Sequence, residues 1–279
     1  MKRILVPIDF SATSQKAFQV AVDIALKSGA VILLYHLYPT GKKSALGVWE
    51  SIQEYNRQFE INTLKRLRML SRKVLQGNED VEVSPVVGRA PVVKNIITFS
   101  QQNHVDLIVM GTQGASGLKK ITVGSVASKI MEQSEAPVLL IPERNKWTAP
   151  QKIIFATVIN KADRKALPII FDFAHLYDAV VTCVNFYDPK NAESEEIKQE
   201  FDMYAYAVQR TYSDARIQFQ QLKSSSVLKS LENLHEQIPY DLMVMARRKL
   251  GFFERVFKKS FTKEMAFVTN QPLLVIPEE

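Results

Sequence analysis

Apolar runs of strand length recur along the chain, separated by amphipathic stretches. Lys2 to Ile8, Ala30 to Leu37 and Val81 to Val87 alternate little between apolar and polar, the pattern of parallel strands buried on both faces. Gln15 to Lys27 sets Ala17, Val20, Ala21, Ile24 and Ala25 at helical spacing, with Ser28-Gly29 as its stop. After a turn at Pro39-Thr40-Gly41, the charged segment from about Gly47 to Gln76 predicts a long amphipathic helix covering a sheet. Gly88 is expected to close the third strand. Pro91 to Asn103 reads as a helix with Val92, Ile96, Ile97 and Phe99 turned inward. Val105 to Met110 makes a fourth strand, a helix runs from Val126 to about Ser134, and Pro137 to Ile141 makes a fifth strand. Regular alternation of strand and helix predicts an α/β fold with a doubly wound parallel sheet.

The pattern then repeats. Asp106-Leu-Ile-Val-Met110 has a counterpart in Asp241-Leu-Met-Val-Met245, and Pro137 to Glu143 in Pro272 to Glu278, both at an offset of 135. Ile4 to Pro7 matches Ile153 to Ala156, and Tyr38 matches Tyr187, at an offset of 149. The chain is therefore expected to hold two tandem domains, 1–143 and 151–279, joined by a polar linker carrying Trp147 and Pro150.

Composition narrows the function classes. Residues 1–146 hold 19 Lys+Arg against 12 Asp+Glu, and residues 147–279 hold 17 of each, so the whole net charge of +7 lies in the first half. A basic half suits a polyanionic small ligand or nucleic acid. Its basic residues are scattered without an aromatic stacking motif, so nucleic acid is not the expected partner. No apolar run approaches the ~20 residues of a membrane span, and Asp9 comes too early for a signal peptide. The single cysteine, Cys183, lies in an apolar run and reads as core filler in a cytoplasmic protein.

The stretch richest in candidate chemistry lies between the fourth strand and the following helix, Gly111-Thr-Gln-Gly114-Ala-Ser-Gly-Leu-Lys-Lys-Ile-Thr-Val-Gly124-Ser125. Such a junction is where α/β proteins hold phosphates, because glycine lets the backbone approach closely and helix N–H groups face the ligand. Ser125 could cap that helix or donate to a phosphate oxygen. Lys119 and Lys120 could screen phosphate charge or simply be solvated. The four histidines show no metal-binding spacing, and neither a nucleophile elbow nor a P-loop is present.

The spacing Gly111, two residues, Gly114, nine residues, Gly124-Ser125 resembles the nucleotide-binding signature of the universal stress protein family. Ile4-Leu-Val-Pro-Ile-Asp9-Phe-Ser, Val105 to Gly111 and Ala136 to Pro142 resemble its first, fourth and fifth strands. The resemblance covers roughly the first 143 residues, with the rest a degenerate copy. It implies strand order 3-2-1-4-5, of the adenine-nucleotide alpha-hydrolase-like type, and ATP or another adenine nucleotide as ligand, alone or with Mg2+. It implies that Asp9 meets the nucleoside and that Leu37 lies against adenine; Met110, just before the first glycine, could pack on the base through its thioether or belong to the core. Gly111, Gln113, Gly114, Gly124, Ser125, Val126 and Ala127 match its phosphate and ribose contacts. His36 competes with Leu37 for the strand-end position.

In the second copy Asp9 becomes Val158, Gly111 becomes Ala246, Gly114 becomes Lys249 and Gly124 becomes Lys259, while Ser125 keeps its type as Ser260. No family-mode nucleotide site is expected there. Phe252, Phe253, Phe257 and Phe261 either fill the lost pocket or form a partner surface. The expected function is a nucleotide-dependent regulatory module with at most slow ATP hydrolysis. The alternatives are an interaction module without nucleotide, with a protein partner that the sequence does not name, and a nucleotidyl-transfer enzyme on the same fold, whose motifs are missing. The resemblance also implies pairing of domains through their fifth strands. Here Val138–Ile141 and Leu273–Ile276, each flanked by prolines, would pair within one chain as a pseudo-dimer, with a homodimer of chains as a further step.

Overall fold

The computed structural model describes residues 1–38, 49–112, 124–144, 146–191, 194–247 and 271–278. The described chain divides into two compact units, the division falling between Val138 and Leu139.

In the first half, β1 (Arg3–Pro7) buries Ile4, Leu5 and Val6 completely, which requires strands on both of its edges and helices on its faces. It runs parallel to β2 (Val31–Tyr38), from Arg3 opposite Val31 to Pro7 opposite Tyr35. Its other edge pairs in parallel with β4 (Leu107–Gly111), Ile4 opposite Leu107 and Leu5 opposite Ile108. β3 (Val83–Arg89) adds to β2 in parallel, and β5 (Val138–Ile141) adds to β4, where the Ile108 N–H donates to the Pro137 carbonyl at 2.9 Å. The order is β3-β2-β1-β4-β5, as expected.

The helices follow the stripes read from the sequence. α1 (Ala12–Ser28) buries Ala17, Phe18, Val20, Ala21, Ile24 and Ala25, with Phe18 alone removing about 1.5–3 kcal/mol worth of apolar surface from water. Its Ser11 cap accepts from the Ser14 N–H, and Gly29 ends it at φ 68°. α2 (Trp49–Val74) occupies the long amphipathic segment and buries Thr63, Leu67, Leu70 and Ser71. α3 (Val92–Gln102) and α4 (Ser125–Gln133) complete the set. The third strand differs from expectation at both ends, running from Val83 rather than Val81 and on to Arg89. Gly88 lies inside β3, opposite Leu37, where a Cβ would overlap the Tyr35 hydroxyl. The Tyr35 ring stacks on Phe99 at 4.4 Å, and burial pushes its pKa up.

The second half holds β6 (Lys152–Thr157), α5 (Lys161–His175), β7 (Val180–Tyr187), α6 (Ser194–Thr211), β8 (Ile217–Lys223), α7 (Val227–Glu232), α8 (Leu234–Gln237), β9 (Leu242–Arg247) and β10 (Leu273–Pro277). Its strands lie in the order β10-β9-β6-β7-β8, each neighbouring pair parallel. Internal geometry recurs at the offsets read from the sequence. The Asp106 Oδ2 accepts from the N–H groups of Lys2 and Arg3 at 2.6 and 2.8 Å, and the Asp241 Oδ2 accepts from Gln151 and Lys152, both at 2.9 Å. Each carboxylate ties the start of a first strand to the start of a fourth. Phe10 at φ 63° recurs as Ile159 at φ 59°, and Gly29 as Asp178 at φ 50°. Cys183 is wholly buried in β7, and burial, then the Asp163 charge, pushes its thiol up to about 12. No helix among the described residues is long and apolar enough to cross a membrane.

Candidate functional site

The carboxyl ends of β1 and β4 lie side by side in the first unit, because continuing the register of Leu5 with Ile108 brings Ile8 level with Gly111. Three of the expected residues, Asp9, Met110 and Gly111, stand at these ends, and a fourth, Leu37, lies in β2 beside β1. Asp9 is exposed, and its Oδ1 accepts from the Ser11 N–H at 3.0 Å, which shapes the turn into α1. Asp9 is thus not the helix cap; that role belongs to Ser11. The Asp9 N–H donates to the Ser14 Oγ at 3.4 Å. Gly111 packs against the first turn of α1, so that a Cβ there would lie 2.5 Å from Thr13 Cγ2 and 3.1 Å from its carbonyl carbon. The absence of a side chain lets β4 and α1 meet. Met110 is buried within β4. Leu37 is half-buried in β2 opposite Gly88.

The helix beyond the loop begins without a side-chain cap. Gly124 is its N-cap, at φ −62° and ψ 153°, and its N–H donates to the Thr112 carbonyl at 2.5 Å. Ser125 is the first helical residue and is exposed, so its hydroxyl is not the helix cap. The first bond within α4 runs from the Ser128 N–H to the Gly124 carbonyl at 2.9 Å. The N–H groups of Ser125, Val126 and Ala127 therefore have no acceptor inside the helix and carry its positive dipole end. Val126 is half-buried and Ala127 is buried. Gln113, Gly114, Lys119 and Lys120 lie outside the described residues.

Three residues at the same sheet end were not expected together. His36, at the end of β2, donates from Nδ1 to the Ile8 carbonyl at 2.7 Å, since a carbonyl can only accept. The His36 ring lies 4.9 Å from that of Phe10, tilted by 47°. The guanidinium carbon of Arg66, on α2, sits over the Phe10 ring at 3.9 Å. Phe10 and His36 lie close to expected site residues in the sequence, but Arg66 sits in a charged helix where nothing marks it.

The corresponding turn in the second unit is held by a carboxylate of its own. Val158 stands where Asp9 does and is 39% exposed. Asp163, only 3% exposed, accepts from Thr157 Oγ1 and the Val158 N–H, both at 2.9 Å, and from the Asn160 N–H at 3.2 Å. Asn160 in turn caps α5 by accepting from the Asp163 N–H. A carboxylate of the protein itself thus holds the donors of this turn, where the first unit has the neutral Ser14 hydroxyl. Asn185 Nδ2 donates to the Thr157 carbonyl at 3.1 Å, repeating the bond that His36 makes to Ile8. Ala246 ends the described run near Arg247, and Lys249, Lys259, Ser260 and the four phenylalanines from Phe252 to Phe261 lie outside the described residues. Among the described residues no cluster of three metal-ligating side chains occurs.

Comparison with known proteins agrees with this architecture. The family model described as the universal stress protein family matches residues 1–142. A universal stress protein of Methanocaldococcus jannaschii is 31% identical over 150 residues, covering 52% of this chain and 84% of the relative. A second from the same organism is 27% identical over 156 residues, covering 52% of this chain and 96% of the relative. Across almost the whole chain, the crystal structure of a universal stress protein from Archaeoglobus fulgidus aligns with a TM-score of 0.74 at 16% identity, covering 99% of this chain and 98% of its own. The two-unit fold therefore has a solved counterpart, and with its first half matched by the family model, the chain belongs to the universal stress protein family.

Proposed function

We propose that the first unit binds ATP or another adenine nucleotide, and that the protein acts as a nucleotide-dependent regulatory module. The observation that carries the reading is the uncapped start of α4. Three N–H groups without helical acceptors stand near the carboxyl end of β4, next to β1, which Asp9 follows. The residues fit such a ligand. A phosphate would accept from the N–H groups of Ser125, Val126 and Ala127 and from the exposed Ser125 hydroxyl. The Asp9 carboxylate is an acceptor for ribose hydroxyls, and Leu37 offers an apolar surface at the end of β2. Gln113 and Gly114 enter the same proposal on their sequence positions alone, as does a Mg2+ ion accompanying the phosphates. Binding would favour one arrangement of the loop between β4 and α4, and a protein partner would read that arrangement.

The second unit, on this reading, is a degenerate copy that binds no nucleotide, because Asp163 already supplies the anion and Val158 replaces the ribose acceptor. A tandem origin, a cytoplasmic setting and pairing of the two fifth strands belong to the same proposal and rest on the sequence. Slow hydrolysis would have Asp9 as its nearest carboxylate. The experiment is mass spectrometry of the small molecule released from the purified protein, together with thermal unfolding in ATP. At a ligand concentration 100 times Kd, binding stabilises by about 2.7 kcal/mol, a clear rise in Tm. No nucleotide released and no rise at millimolar ATP would refute the reading.

A further inference from the structure

We infer that Arg66 is a base-end contact of the nucleotide site, the outer plane of its guanidinium stacking on the nucleobase; the inference rests on the nucleotide-binding reading above. Phe10 directly follows Asp9 and is held at φ 63° by the turn, which aims it toward β2 rather than β4, as its contact with His36 shows. His36 is itself fixed by the bond from Nδ1 to the Ile8 carbonyl at 2.7 Å. Arg66 lies over the Phe10 ring at 3.9 Å and is exposed, so one side of its plane is supported by the ring while the residue still reaches solvent. Gly111 and α4 lie on the β4 side of β1, whereas Phe10, His36 and Arg66 lie on the β2 side. A ligand with its phosphates at α4 and its ribose at Asp9 therefore carries its base toward Arg66.

The chemistry suits that end. A guanidinium is planar and weakly hydrated, and it stacks on the π-face of a base much as an aromatic ring does. Phe10 holds that plane in place before the ligand arrives, which lowers the ordering cost of binding. With Nδ1 committed to the Ile8 carbonyl, Nε2 is the ring nitrogen left for the edge of a base. The second unit has none of the three. At the offset of 149 Phe10 becomes Ile159 and His36 becomes Asn185, and carrying the offset of 134 between β3 and β8 back into the helix before each places Glu200 at the position of Arg66. The trio occurs in the unit that keeps Asp9 and loses its cation in the unit whose turn is already filled by Asp163.

The test compares Arg66→Ala and Arg66→Lys with the parent for adenosine, AMP, ATP and inorganic tripolyphosphate, by calorimetry or competition. Because Arg66 is exposed, both variants should keep the fold, checked by circular dichroism. Arg66→Ala is expected to weaken adenosine, AMP and ATP by the same factor, roughly 3- to 30-fold, and to leave tripolyphosphate unchanged. Arg66→Lys is expected to recover little, since an ammonium has no plane to stack. A loss that grows with phosphate number and is restored by lysine would make Arg66 a phosphate contact and overturn the inference. So would an unchanged affinity for all four ligands while the parent binds ATP normally. If the parent itself binds no adenine nucleotide, the site reading falls first and the inference with it.

Discussion

Replacing Gly111 with alanine tests how tightly β4 is seated on α1. The added Cβ would lie 2.5 Å from Thr13 Cγ2, 3.0 Å from Thr13 Cβ and 3.1 Å from its carbonyl carbon. All three are well inside the ~3.5–4.0 Å at which carbon atoms pack. Thr13 is 5% exposed in the first turn of α1, so it cannot swing away, and one of the three contacts is with backbone. The helix and strand must separate by about half an ångström, and overpacking of this kind costs about 1–3 kcal/mol. Thr13→Ser removes only the Cγ2 atom, the nearest of the three. It should cost about 1 kcal/mol alone, as the loss of one buried methyl, yet restore part of the stability of Gly111→Ala. A double-mutant cycle should therefore give a coupling of about 1 kcal/mol in favour of the pair. The assay is urea unfolding followed by circular dichroism, fitted for two transitions if the units unfold separately. Strict additivity, or a Gly111→Ala variant within about 0.5 kcal/mol of the parent, would refute the packing argument. The same separation should weaken ATP binding, since Asp9 and α4 are positioned by the elements being forced apart.

Three further outcomes follow from the same geometry. Asp163→Asn should lower the stability of the second unit by about 1–3 kcal/mol, because the Thr157, Val158 and Asn160 donors converge on one carboxylate oxygen, Oδ2, and the neutral amide oxygen that replaces it accepts more weakly; a change below about 0.5 kcal/mol in urea unfolding would count against the network. The thiol of Cys183, pushed up to about 12, should resist modification by a thiol reagent between pH 7 and 9 in the folded protein and react at once in denaturant; prompt reaction with native protein would contradict its burial. The sign carries over to stability: a thiol raised above its unfolded value near 9 favours the fold below pH ~9, and that contribution is lost as pH rises toward 12. His36→Asn should fold within about 1 kcal/mol of the parent, because Asn185 makes the equivalent bond in the second unit; a larger loss would show that the ring, not the bond, is what β2 needs.

The fold was legible where one physical signal sufficed. Fully buried parallel strands read as unbroken apolar runs, and the α1 and α2 stripes fell at helical spacing, so strand and helix placement followed, while the strand order came from the family resemblance. Gly88 misled because glycine marks both strand ends and places where a side chain has no room; the Tyr35 hydroxyl, 53 residues away, decides for the second. Asp106 and Asp241 were visible as a repeated position, but their role in tying two strand starts depends on pairing that the sequence does not display. Phe10 and Ile159 take a positive φ that no residue type announces. The Arg66, Phe10 and His36 cluster draws on three segments, and the carboxylate of Asp163 looks like any first-turn acid until its donors are seen.

The central claim is one adenine-nucleotide site per chain, built on the start of α4 in the first unit. Titration calorimetry of the full chain with ATP, beside the Gly124→Lys variant, tests it most directly. The lysine puts a side chain where the backbone must approach a phosphate, the residue that the second copy carries at Lys259. The account predicts a stoichiometry of about one for the parent and no measurable heat of binding for the variant, with the circular dichroism of the two unchanged. Two equivalent sites per chain, or a variant that binds ATP like the parent, would contradict it.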